Sequence, residues 1–78
     1  MDQSFYQTGQ FATLAGISVR TLRYYDQVGL LKPTAHSLAG DRLYTDEDLL
    51  KLQRILALKF LGFSLVQIQD FLRVGPAD

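Results

Sequence analysis

The sequence holds no cysteine, no tryptophan and one histidine. The absent thiols exclude disulfides, thiolate zinc sites and thiol catalysis. With His36 as the sole imidazole, a multi-histidine metal site is excluded too. No apolar run approaches the ~20 residues of a membrane span, and the N-terminus "MDQSFYQTGQ" lacks a basic-then-apolar signal. The expected location is therefore cytoplasmic, without membrane contact. There is no excess of charge: eight Lys and Arg balance eight Asp and Glu. That balance weakens any nucleic-acid argument based on bulk charge. The charge is nevertheless segregated. Between Ser18 and Leu38 stand Arg20, Arg23 and Lys32 against Asp26 alone, while the acids of "TDED" come together later.

What is present suits one small domain spanning residues 1–78, since 78 residues bury only a modest core. "QFATLAG" spaces Phe11, Leu14 and Ala15 helically and stops at Gly16, which predicts a first helix over about Thr8 to Ala15. After a three-residue link "GIS", Ser18 stands where an N-cap belongs. "VRTLRYYDQV" then predicts a second helix ending at Gly29. "LLKPTAHSLAGDRLY" differs in kind. Pro33 and Gly40 punctuate it, and it reads as a hairpin pairing roughly Lys32–His36 with Asp41–Tyr44. Two strands are marginal by themselves, so they must lean on helices.

Thr45 caps a third helix that ends at Gly62. Asp48 holds the capping-box position, and acids at 46–48 complement the helix dipole. Leu49, Leu52, Ile55, Leu56 and Phe60 form one apolar stripe; Leu50, Ala57 and Leu61 form a second beside it. Together they wrap more than half of this helix, which fits the central helix of a small domain or, on the sharper reading, a surface that meets another chain or a further segment. "SLVQIQDFLRVG" predicts a fourth helix. Ser64 and Gln67 form a capping box, and Leu65, Ile68, Phe71 and Leu72 point inward.

Helix, short turn with glycine, helix is the helix-turn-helix arrangement. Ala12 is small where the second helix crosses the first, Gly16 permits positive φ, and Leu22 points into the shared core. On the helical wheel the second helix separates an inner set (Val19, Leu22, Tyr25) from an outer set (Arg20, Arg23, Tyr24, Gln27). Such an outer face suits a duplex. Arg forks onto guanine or phosphate, Gln pairs with adenine, and Tyr donates to phosphate. Ser18 and the helix N-terminus add donors for a phosphate. The hairpin then becomes a wing, with His36, Ser37 and Arg42 facing backbone or minor groove. Tyr44 packs on the helices and also presents its hydroxyl. Lys59 is a solvent lysine or a phosphate contact. Asp26 has a structural role, paired with Arg23 or Arg42.

In combination, "SVRTLRYYDQVGLL", "RLYTDEDLLKLQRI" and "LKFLGFSLVQIQDFL" resemble the DNA-binding domain of MerR-type transcriptional regulators, nearest the drug- and thiopeptide-responsive branch. The likeness runs from Tyr6 to about Leu72. It implies a mainly α fold: a winged helix-turn-helix of four helices with a small two-stranded antiparallel wing. It implies residues 18–28 in the major groove and residues 33–44 on backbone or minor groove. Helix contacts would fall on Ser18, Arg20, Thr21, Arg23 and Tyr24, wing contacts on His36 and Arg42, and a later phosphate contact on Lys59. The implied partners are double-stranded DNA with a pseudo-palindromic operator, RNA polymerase at a bacterial promoter, and a second copy in a homodimer. No cofactor is implied.

Two departures stand out. Asp41 precedes Arg42 and would tie it up or weaken the wing's hold. The family's dimerisation helix and effector region do not follow "RVGPAD", so dimerisation by this chain is expected to be weak. The competing expectations are an excisionase-like or architectural DNA-bending protein, and a protein-interaction module using the apolar third helix. No nucleophile–base set suggests an enzyme.

Overall fold

The computed structural model describes residues 4–74. Gly75 and Pro76, which the sequence places after the fourth helix, lie outside the described residues. The elements run β1 (Tyr6–Gln7), α1 (Thr8–Ala15), α2 (Val19–Gln27), β2 (Ala35–His36), β3 (Arg42–Tyr44), α3 (Asp46–Phe60) and α4 (Leu65–Val74).

The last three helices start where a side chain answers the free N–H groups of the first turn. Ser18 Oγ accepts from the Thr21 amide at 3.0 Å, opening α2. Thr45 and Asp48 exchange hydrogen bonds at the head of α3 (3.2 and 3.0 Å), and Ser64 and Gln67 do the same for α4 (3.2 and 2.8 Å). The capping boxes expected from sequence are therefore present, and Asp48 fills its place as well as Glu would. It also accepts a 2.6 Å bond from the Thr34 hydroxyl, which moors the wing to α3.

The turn between α1 and α2 depends on Gly16. Its φ is 74°, and the Gly16 and Ile17 amides close back onto the carbonyls of Thr13 and Ala12 at 3.2 and 3.1 Å. This pairing satisfies the last carbonyls of α1 and redirects the chain within three residues. A Cβ at this position would meet nothing within 4 Å, so the cost of alanine lies in the left-handed backbone alone, about 1–2 kcal/mol.

The sheet corrects the expectation of two strands. The order is β1-β3-β2, all antiparallel, with Tyr6 opposite Tyr44 and Gln7 opposite Leu43. The wing ladder itself is narrower than expected, pairing Ala35 with Leu43 and His36 with Arg42. The third strand gives a marginal ribbon a second partner. The Tyr6 hydroxyl then donates to Asp46 at 2.7 Å, tying β1 to the head of α3.

One core joins the four helices and β3. Phe11 and Ala12 from α1, Leu22 and Tyr25 from α2, Leu30 and Leu31 after it, Tyr44 from β3, Leu52, Ile55 and Leu58 from α3, and Ile68 from α4 are all buried together. Phe11 and Tyr44 stack with ring centroids 4.4 Å apart and planes 10° off parallel. Phe71, assigned inward from sequence, is 56% exposed instead, and Phe60, the last member of the first α3 stripe, is 89% exposed. Phe60 falls at the edge of its stripe in the last turn of α3, and Leu58 at the opposite edge is buried in its place. Phe71 is likewise at the edge of the Ile68 stripe. Leu50, Ala57 and Leu61, the second stripe, are exposed, so the helices of this domain do not cover both stripes of α3.

Candidate nucleic-acid interface

The inner face of α2 is fixed by Leu22 and Tyr25, both buried, with Val19 and Val28 packed beside them. The helix therefore cannot roll, and its other residues must face out. Arg20, Arg23 and Gln27 are exposed, and Tyr24 is 46% exposed. They line one open depression of about 620 Å³ together with Val19. Among the described residues neither Arg20 nor Arg23 forms an ion pair, so both guanidiniums are available. The Tyr24 and Tyr25 rings are tilted by 48° with centroids 6.2 Å apart, one half exposed and the other buried. Thr21 is half-buried, and its hydroxyl accepts from Ser18 Oγ at 3.0 Å, so the two hydroxyls at the head of α2 form a pair.

Lys59 is exposed at the end of α3, where the dipole favours a cation. Its ammonium lies 5.9 Å from the Tyr25 ring centroid. A lysine remote in sequence is thereby drawn to the flank of α2 by a cation–π contact.

The wing carries His36, exposed, paired across the ladder with Arg42. The Ser37 and Asp41 backbones close its tip at 2.9 Å, and Ser37 Oγ accepts from the Asp41 amide at 3.0 Å. The Asp41 carboxylate takes the Ser37 hydroxyl at 3.3 Å. Asp41 therefore serves the turn and does not tie up Arg42. The carboxylate that does is Asp26: its Oδ2 accepts from Arg42 Nε at 2.6 Å, and its Oδ1 lies 3.5 Å from Lys32 Nζ. The hydrogen bond from Arg42, more than any other influence, holds the Asp26 carboxyl below its ordinary range, and Asp26 in turn raises the guanidinium. Of the two partners open to Asp26 from sequence, the structure selects Arg42.

Tyr44 leaves the surface set. It is fully buried against Phe11, and its hydroxyl has no hydrogen-bond partner among the described residues. Burial pushes that phenol above its ordinary value. A lone aromatic between Leu43 and Thr45 gives no sign in sequence of the α1 ring waiting to stack on it. An unpartnered buried hydroxyl costs about 1–3 kcal/mol. Tyr44→Phe is therefore expected to melt at the same temperature or higher; a clear drop in the denaturation midpoint would mean that the hydroxyl is bonded.

One part of the surface was not foreseen. A second open depression, about 240 Å³, lies where the start of α1 (Thr8, Gly9) meets Arg23 and Arg42. Only the sheet, whose third strand leads directly into α1, brings that helix start beside the wing.

A helix-turn-helix with an antiparallel wing, a basic aromatic outer face on the second helix and a lysine brought to its flank is the arrangement on which the comparison with known proteins turns. The family model for MerR HTH family regulatory proteins matches residues 6–74. The chain belongs to this family. The transcriptional activator TipA of Streptomyces coelicolor is 48% identical over 73 residues, covering 94% of this chain and 29% of TipA. The activator mta of Bacillus subtilis is 49% identical over 67 residues, covering 86% of this chain and 26% of mta. The drug- and thiopeptide-responsive branch is thus where the MerR likeness lies. The chain spans less than a third of these two relatives. Among solved structures, HiNmlR, a MerR family regulator lacking the sensor domain and bound to promoter DNA, superposes with a TM-score of 0.81 at 41% identity. That match covers 87% of this chain and 54% of HiNmlR. EcmrR, in the EcmrR–DNA complex of EcmrR-RPo, gives 0.84 at 31%, covering 94% and 28%. No helix among the described residues is long and apolar enough to cross a membrane.

Proposed function

We propose that this MerR-type domain binds double-stranded DNA sequence-specifically and serves transcriptional regulation, with α2 in the major groove and the wing on the flanking backbone or minor groove. The observation that carries it is the outer face of α2: Arg20, Arg23, Tyr24 and Gln27 exposed together on a helix whose other face is locked in the core. A major groove about 12 Å wide admits such a helix. Ser18 and Thr21 at its head, His36 and Arg42 on the wing, and Lys59 on its flank would supply the backbone contacts that set register.

The DNA-bound state of HiNmlR and EcmrR supports this reading. By the same analogy the partners are a pseudo-palindromic operator, RNA polymerase at the promoter, and a second copy of the regulator, in the bacterial cytoplasm at the nucleoid. The exposed Leu50 and Leu61 on α3 offer apolar area for that pairing. One domain reads one half-site, so the isolated chain binds more weakly than a paired form would.

The test is retardation of labelled duplex DNA across salt. Binding at ~50 mM salt should fall steeply towards ~200 mM, with a log–log slope reporting the phosphates neutralised. No retardation of genomic duplex fragments at the lower salt would sink the proposal.

A further inference from the structure

Asp26 occupies an unusual position. It is the penultimate residue of α2, one turn past Arg23, yet its side chain is turned away from the DNA-facing set and is only 15% exposed. It grips the wing at both ends. Lys32, at the entrance to the hairpin, places Nζ 3.5 Å from Oδ1 and 3.3 Å from the Asp26 carbonyl. Arg42, on the returning strand, gives Nε to Oδ2 at 2.6 Å. No other side-chain hydrogen bond among the described residues joins α2 to the wing.

The atom used by Arg42 matters. Nε is the inner donor of the guanidinium. The two terminal NH₂ groups form no hydrogen bond among the described residues, and the side chain is 36% exposed. Arg42 borders the depression shared with Arg23 and the start of α1. An arginine can serve a carboxylate through Nε while offering its outer donors to a phosphate. A lysine, with a single charged nitrogen, cannot hold both geometries.

We propose that Asp26 is a positioning residue for DNA binding: by holding Nε of Arg42 it aims the outer edge of that guanidinium at a backbone phosphate. This rests on the duplex-binding reading above. Asp26 acts through Arg42 and touches no DNA itself, which separates it from the residues assigned to the interface.

The experiment is a double-mutant cycle on the 78-residue chain, read as affinity for a duplex selected by the unaltered chain from a random-sequence pool. Asp26→Asn is expected to weaken binding about tenfold, and Arg42→Ala by at least as much. The double variant should bind no more weakly than Arg42→Ala alone, because an effect routed through Arg42 vanishes once Arg42 is gone. Arg42→Lys keeps the charge, so it should fold normally and yet lose about as much as Asp26→Asn; it decides the matter if Asp26→Asn fails to fold. Additive losses in the cycle, unaltered binding by Asp26→Asn, or full binding by Arg42→Lys each overturn the inference. Arg20→Ala separates the two levels. If it leaves binding intact, the duplex-binding reading fails as well; if it impairs binding while the cycle is additive, only the role of Asp26 fails.

Discussion

Arg20→Ala is expected to lower the affinity for a selected duplex by about 10- to 100-fold, the range for losing a major-groove arginine contact. Its melting temperature should stay that of the unaltered chain. The two expectations come from one fact: Arg20 is exposed on α2 and forms no ion pair among the described residues, so the fold has nothing to lose with it. Tyr24→Ala should follow the same pattern. Its ring is half exposed, and the apolar anchors of α2 are Leu22 and Tyr25 on the other face. Combining the two should abolish retardation. Gel retardation and a thermal melt on the same preparations check both halves. A variant that melts early, or one that binds undiminished, contradicts the assignment of these side chains to the outer, DNA-directed set.

Phe11→Ala should act in the opposite way, removing the fold and DNA binding together. Phe11 is fully buried and stacked on Tyr44, with Tyr6 tilted against it at 6.4 Å. Truncating a buried phenylalanine costs about 3–5 kcal/mol. A core of this size supplies only a few kcal/mol of net stability, so the loss is comparable with the whole. The variant should be largely unfolded at room temperature by circular dichroism. A variant with full helical signal and an ordinary melt would show that the α1–β3 stack is dispensable.

What could be seen in the sequence was whatever is decided within a few residues. Ser18, Thr45 and the Ser64–Gln67 pair cap helices by reaching three positions along the chain, and Gly16 turns it by its own backbone. The split of α2 into inner and outer faces follows from helical geometry alone. The misses involve neighbours from elsewhere in the chain. A helical wheel gives the direction of Phe60 and Phe71 but not what lies there, and among the described residues both stay mostly exposed. Two residues, Tyr6 and Gln7, carry no alternation that would mark a strand; β3 makes them one. Tyr44 was placed half at the surface because its stacking partner, Phe11, is 33 positions earlier. The choice of Arg42 over Arg23 by Asp26, and the approach of Lys59 to Tyr25, likewise depend on how separate elements pack.

The pairing of Tyr6 with Tyr44 also bears on the order in which the chain assembles. It joins residues 38 positions apart by a ladder only two residues long. Closing a loop of that size costs entropy that so short a ladder cannot offset by itself. The contact becomes favourable only once α1, α2 and the wing have already gathered around Phe11. The N-terminal strand is accordingly expected to settle last and to exchange its amide hydrogens first, a latch on the rest of the domain. Because β1 leads straight into the start of α1, releasing that latch would also loosen the edge of the surface beside Arg23 and Arg42, leaving the far face of α2 in place.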